Sequence, residues 1–135
     1  MIGFRWSRKL YQEITGYTGF YTLTFDLIKR TLSDFTGIPN INVLINNEVK
    51  LDEQVSNETI EQRTVTWFNT EETIRIEFAS TDPTTEDKTF FIDNVAVSYI
   101  LGESVTIVNG DFETDVDITN NYANNITPTG WTENG

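Results

Sequence analysis

Apolar and polar residues alternate along most of the chain, which is the pattern of β-strands with one face buried in a core. The clearest run covers residues 21–27, where tyrosine, leucine and phenylalanine share one face, and threonines and Asp26 share the other. Residues 26–35 predict a strand that continues into a loop, and no other segment has the period of a helix. The pattern recurs at residues 10–14, 41–45, 63–67, 74–78 and 95–99, and a further candidate strand runs from Val105 to Phe112.

Turn-forming residues separate these runs. Asn46-Asn47 lies between two short apolar runs and predicts a tight hairpin, because asparagine tolerates positive φ. Further turn signals lie at residues 37–39, 69–72 and 82–88. The chain therefore predicts roughly eight or nine short strands, and we expect an all-β fold, an antiparallel two-sheet jelly-roll β-sandwich.

Charge and composition exclude several classes of function. The 135 residues include 21 acidic and 9 basic ones, which gives a formal net charge of −12. A chain this acidic repels nucleic-acid phosphates and anionic lipids. It has no cysteine and no histidine, which excludes thiol and imidazole catalysis and the usual zinc sites. Since no apolar run reaches the roughly 20 residues of a membrane span, we expect neither a nucleic-acid partner nor membrane insertion.

Several short motifs give the chain a resemblance to a known family. Residues 108–113 read Val-Asn-Gly-Asp-Phe-Glu and are followed by Gly130-Trp131-Thr132, while residues 91–97 read Phe-Ile-Asp-Asn-Val-Ala-Val. The glutamine-containing run at 10–14 and the Tyr-Thr-Leu-Thr-Phe run at 21–25 complete the set. Together they resemble the jelly-roll carbohydrate-binding modules found beside xylanases and glucanases and in bacterial surface and phage proteins. The resemblance covers nearly the whole chain and implies a jelly-roll module.

The order of these motifs departs from the family, because the motif of its first strand lies here near the C-terminus. We therefore expect residues 1–100 to form the jelly-roll body and residues 101–135 to supply the displaced first strand. Three arrangements are open: a circularly permuted domain, a fragment of a tandem array of neighbouring repeats, or strand donation into another subunit by self-association.

The resemblance also implies a structural Ca²⁺ that ties the first strand to the last. Asp93 and Glu113 match the family's acidic positions, and Asp111 is a weaker candidate. Calcium takes six to eight oxygen ligands at about 2.3–2.6 Å, which an acidic chain rich in asparagine can provide. The alternative is that these acids are solvated residues at strand ends.

Exposed aromatic side chains are the second kind of candidate site, because a pyranose ring stacks on an aromatic face while polar neighbours bind its hydroxyls. Trp67 and Trp131 occupy apolar steps of the strand pattern and are predicted to lie in the core. For the candidates outside inward-facing positions, the alternative is ordinary packing or an isolated surface ring. The predicted ligand contacts are Trp6, Tyr11, Tyr17 and Tyr122, with Phe20 as a further position.

No motif marks catalysis. Glycoside hydrolysis uses two carboxylates, but 21 acidic residues produce such pairs by chance. We expect a non-enzymatic module of a bacterial surface or phage virion protein that serves adhesion or glycan binding. We expect it to be extracellular, on a cell surface or in a virion, with no signal peptide in this sequence. The alternative is a structural subunit that assembles by strand donation. A glycan binder is expected to present at least two aromatic side chains on one face.

Overall fold

The computed structural model describes residues 1–5, 7–31, 37–81, 88–99, 104–112 and 127–133. Within these ranges every regular element is a strand, so no helix there has the length and apolar character needed to cross a bilayer. The ten strands are β1 (Ile2–Arg5), β2 (Lys9–Thr15), β3 (Gly19–Lys29), β4 (Asn40–Ile45), β5 (Glu48–Gln54), β6 (Glu61–Asn69), β7 (Thr73–Ser80), β8 (Thr89–Tyr99), β9 (Ser104–Val105) and β10 (Thr132–Glu133).

The strands form two antiparallel sheets. The first has the order β1-β8-β3-β6, with β9 also paired to β8, and the second has the order β10-β2-β7-β4-β5. The antiparallel pairs β1–β8 and β3–β6 lie in the first sheet, and the antiparallel pairs β2–β7 and β4–β5 lie in the second. Successive pairs along the chain therefore alternate between the two sheets. This is the connectivity of a jelly roll, so the predicted fold class is confirmed.

The inward faces of the two sheets make one hydrophobic core. The alternation predicted for residues 21–27 is confirmed, since Tyr21, Leu23 and Phe25 are buried. Trp67 and Trp131 are also buried, as predicted. Burial of one such side chain stabilises the fold by about 1.5–3 kcal/mol. The predicted hairpin is present as well, because Asn46 and Asn47 have φ of 49° and 67°, the left-handed conformation that a type I′ turn requires.

The candidate strand from Val105 to Phe112 is a correction. The strand β9 ends at Val105, and residues 108–111 form a turn. Asn109 and Phe112 have φ of 51° and 56°, which is incompatible with an extended strand. The reason lies in the Asn109-Gly110 pair, a strong turn former, whose Gly110 carbonyl accepts a hydrogen bond of 2.8 Å from the Val95 amide of β8.

The prediction that residues 101–135 supply a displaced first strand stays a prediction, because the structure describes only residues 104–112 and 127–133 of that segment. Among the described residues, strands β1 to β8 lie between Ile2 and Tyr99, and β1 pairs with β8. The described part of the C-terminal segment contributes the short strands β9 and β10, and its Phe112 and Trp131 side chains are buried in the core. The Trp131 ring lies 5.4 Å from Phe112 and 5.8 Å from Phe78, between ring centroids. The short strand β10 pairs only with Leu10 and Tyr11 of β2.

Candidate functional site

The exposed aromatic side chains of the described residues gather at one end of the sandwich. They are Tyr17, Phe20 and Phe68, with 66%, 53% and 54% of their surface exposed. Phe20 and Phe68 are direct cross-strand partners on the outer face of the first sheet, with ring centroids 4.9 Å apart. Tyr17 lies in the loop between β2 and β3, three residues before Phe20. Exposed apolar groups that lie close together are typical of binding sites, so this aromatic end is a candidate binding surface.

Hydrogen bonds hold the loop of Tyr17 in one conformation. The Tyr17 amide donates to the Tyr21 hydroxyl at 2.9 Å, and the Tyr17 carbonyl accepts from Nδ2 of Asn69 at 2.9 Å. The Tyr99 hydroxyl donates to the Thr18 carbonyl at 2.8 Å. Gly16 is required before Tyr17, since a Cβ there would overlap the Glu71 carbonyl oxygen. The exposed Tyr17 side chain is therefore presented by a fixed backbone.

Beside Tyr17 a cleft of about 370 Å³ opens between β2 of the second sheet and the β8–β9 pair of the first. We call it the edge cleft. Tyr21 and Tyr99 lie 5.1 Å apart between centroids and line it together with Tyr17. Its other walls in the described residues are Gln12, Glu13, Ile14, Thr15, Val105, Thr106 and Val108. The edge cleft thus combines three phenolic rings with a carboxylate and two threonines.

One buried side chain fixes the far wall of the edge cleft. Gln12 points inward from β2 and has 6% of its surface exposed. Its Nε2 donates to the Val108 carbonyl at 3.0 Å, and its Oε1 accepts from the Val108 amide at 2.9 Å. The side-chain amide thereby makes the pair of bonds that a neighbouring strand would make. The sequence did not reveal this contact, because its partners lie 96 positions apart.

The predicted aromatic contacts do not all meet at this site. Tyr17 lines the edge cleft, whereas Tyr11 lies on the outer face of the second sheet, with the Arg75 guanidinium carbon 3.5 Å from its ring centroid. Trp6 and Tyr122 lie outside the described residues. Phe68 was missed, although a signal was present: it occupies an outward step of β6 after Thr64 and Thr66, where alternation calls for a polar residue.

The predicted calcium ligands are only partly described. Asp93 is half-buried on β8, and its Oδ1 accepts from the Asn94 amide at 2.9 Å. Asp111 is exposed in the turn after β9, beside a shallow depression that Asn94 and Gly110 also line. Glu113 lies outside the described residues. No group of three or more acidic, histidine or cysteine side chains suited to a metal occurs in the part that the structure describes, and calcium stays a prediction.

Comparison with known proteins relates the chain to others by structure and not by sequence. No protein-family model matches it, and no curated protein matches it either. The C-terminal domain of EclA, described as a sugar-binding protein, is similar over 65% of this chain and 64% of its own length, with 11% identity and a TM-score of 0.52. The chain therefore spans less than two thirds of that domain.

The carbohydrate-binding module of PbXyn10C, in its apo form, is similar over 94% of this chain and 70% of its own length. The identity is 16% and the TM-score is 0.58. The resemblance to carbohydrate-binding modules is thereby confirmed for the fold. At such identities a shared fold does not carry a shared ligand.

Proposed function

We propose that this chain is a non-enzymatic glycan-binding module that holds a sugar unit in the edge cleft. The observation that carries the proposal is Tyr17, an exposed aromatic side chain on a hydrogen-bonded loop at the rim of a 370 Å³ cleft. A sugar ring presents C–H groups to an aromatic face and hydroxyls to polar neighbours. Tyr17 would contact the C–H groups of the sugar ring, and Glu13, Thr15 and Thr106 would bind its hydroxyls.

Two further observations support a sugar as the ligand. The cleft is lined by more than one aromatic side chain, which was the expected mark of a glycan binder. Two solved structures of similar fold are described as a sugar-binding protein and as a carbohydrate-binding module. We propose that this binding serves adhesion at a bacterial surface or in a virion. The proposed role is binding alone, without catalysis.

Assembly by strand donation is the second candidate, and one feature of β2 favours it. The strand β10 pairs with Leu10 and Tyr11 only, and within the described residues no strand covers the outer edge of β2 from residue 12 to residue 15. An open edge of this kind is a template for another chain. In that case the protein would form concentration-dependent polymers.

Affinity electrophoresis in gels that contain xylan, mixed-linkage β-glucan or galactan tests the proposal. We expect retardation by at least one polysaccharide, and we expect Tyr17→Ala to weaken binding about tenfold, the equivalent of about 1.4 kcal/mol. Tyr11→Ala is the matched control, because it removes the same ring from the outer face of the second sheet. Unretarded migration in all three gels contradicts the proposal. The proposal is also contradicted if Tyr11→Ala abolishes the retardation while Tyr17→Ala leaves it unchanged.

A further inference from the structure

A second cleft, of about 250 Å³, lies at the opposite edge of the sandwich, between the β4–β5 hairpin and the β6–β7 turn. We call it the hairpin cleft. Its principal walls are Asn46, Lys50, Trp67, Phe68, Asn69 and Glu71. The described residues that line it include none of those that line the edge cleft.

The indole of Trp67 is the feature that points to a ligand. Trp67 has 6% of its surface exposed and stacks on Tyr21 with centroids 5.5 Å apart. Its Nε1 is buried and has no hydrogen-bond partner among the described residues. By contrast, Nε1 of Trp131 donates to the Asn109 carbonyl at 3.3 Å. A buried N–H without an acceptor costs about 1–3 kcal/mol. Because Nε1 has almost no exposed surface, a ligand oxygen accepts from it only when the adjoining wall of the cleft moves aside on binding.

A β-bulge brings a charged pair to the same cleft. Val43 and Leu44 of β4 pair with Leu51 and Val49 of β5, so Lys50 is the extra residue. Bulges redirect side chains and are frequent beside binding sites. Lys50 lines the cleft, and its Nζ lies 3.1 Å from Oε1 of Glu48, which also lines it. The cleft therefore offers a donor and an acceptor close together.

The chemistry of these walls selects the class of ligand. An anion would meet the carboxylates of Glu48 and Glu71 in a chain of net charge −12. A cation would leave the Trp67 N–H without an acceptor, and so would a hydrocarbon. A neutral hydroxyl group would accept from the indole N–H once the wall moves aside, and it would donate to a carboxylate. The half-exposed Phe68 ring would contact the C–H groups of the same ligand. We propose that the hairpin cleft is a second binding site for a neutral, hydroxyl-bearing ring such as a single sugar unit.

A titration observed by ¹H–¹⁵N correlation spectra tests this site, with glucose and xylose as probes. The Trp67 indole signal, assigned from its loss in Trp67→Phe, is expected to shift in a saturable way. The Trp131 indole signal is the internal reference, because its N–H already has an acceptor. Lys50→Met is expected to weaken binding about threefold to tenfold, the range for one lost hydrogen bond. Lys9→Met, an exposed lysine on β2, is expected to leave binding unchanged.

Glycerol at equal concentration controls for non-specific effects of hydroxyl groups. The proposal is overturned if the Trp67 signal shows no saturable shift with either sugar, or if glycerol and the sugars shift it alike. Tyr17→Ala separates the two clefts, because it alters the edge cleft and not the lining of the hairpin cleft. A Trp67 shift that persists in this variant supports the second site even where no polysaccharide is retained.

Discussion

The hydrophobic core is covered in different ways at the two edges of the sandwich. At the first edge, between β2 and the β8–β9 pair, a distant part of the chain covers the core with Phe112 and Trp131 and with the double hydrogen bond from Gln12 to Val108. At the second edge, between β5 and β6, an ion pair takes the place of apolar side chains. Arg63 and Glu53 occupy inward-facing steps of their strands, and Arg63 Nε donates to Glu53 Oε1 at 2.6 Å.

Electrostatics at the two edges differ accordingly. At the first edge, burial lowers the pKa of Arg8, and the Glu133 carboxylate, 3.3 Å from Arg8 Nε, opposes this shift. At the second edge, the hydrogen bond to Glu53 raises the pKa of Arg63, whose guanidinium also donates to Glu61 at 3.0 Å. Both guanidinium groups stay charged at neutral pH. The first edge therefore depends on burial, whereas the second depends on partly solvated charges, which salt screens.

Trp131→Ala is expected to have the largest effect on this comparison. Removal of a buried tryptophan costs about 3–5 kcal/mol, a large part of the usual net stability of about 5–15 kcal/mol. Urea unfolding measures the loss, and Phe68→Ala, at an exposed ring, is expected to cost much less. A loss below about 1 kcal/mol for Trp131→Ala would show that the C-terminal segment does not close the first edge of its own chain.

Gln12→Ala is expected to have an intermediate effect. The substitution removes two part-buried hydrogen bonds to Val108, each of which contributes about 0.5–1.5 kcal/mol net. Gln62→Ala, at an exposed step of β6, is the matched control. Equal unfolding free energies for the two variants would mean that water replaces the Gln12 amide at no cost. The far wall of the edge cleft would then not depend on the Gln12 side chain.

Arg63→Met is expected to have the smallest effect. The Arg63 and Glu53 side chains are 25% and 29% exposed, so solvent screening limits the pair to about 1 kcal/mol or less. A double-mutant cycle with Glu53→Gln, at low and at high salt, isolates their interaction. A coupling energy above about 3 kcal/mol, or one that salt does not reduce, would show that Arg63 and Glu53 behave as a buried ion pair. The two edges would then not differ in their dependence on solvated charge.

The sequence was sufficient for the features that depend on neighbouring residues. Alternation identified β3 and its inward face, and two adjacent asparagines identified the hairpin that later forms one wall of a cleft. β1 was missed because Ile2, Gly3 and Phe4 are all buried, so no alternation marks it. Asn109-Gly110 forms a turn although the family motif predicts a strand there, because an asparagine followed by a glycine adopts the positive φ of a turn readily.

The candidate site could be predicted only in part, because it depends on contacts between distant residues. Tyr17 was identified from the sequence as a predicted ligand contact, and it lines the edge cleft. The partnership of Gln12 with Val108 joins residues 96 positions apart, and no local pattern indicates it. The hairpin cleft depends on Lys50, which enters it through a bulge that alternation cannot show. Local periodicity therefore predicts strands, whereas clefts arise where strands, turns and bulges of distant segments meet.

A map of backbone amide shifts during titration with xylohexaose and cellohexaose tests directly whether the edge cleft binds a glycan. Binding in the edge cleft predicts that the largest saturable shifts occur at Thr15, Tyr17 and Thr106, and that they disappear in Tyr17→Ala. Shifts centred on Tyr11 and Arg75 of the second sheet's outer face, or no saturable shift with either oligosaccharide, would contradict glycan binding in the edge cleft.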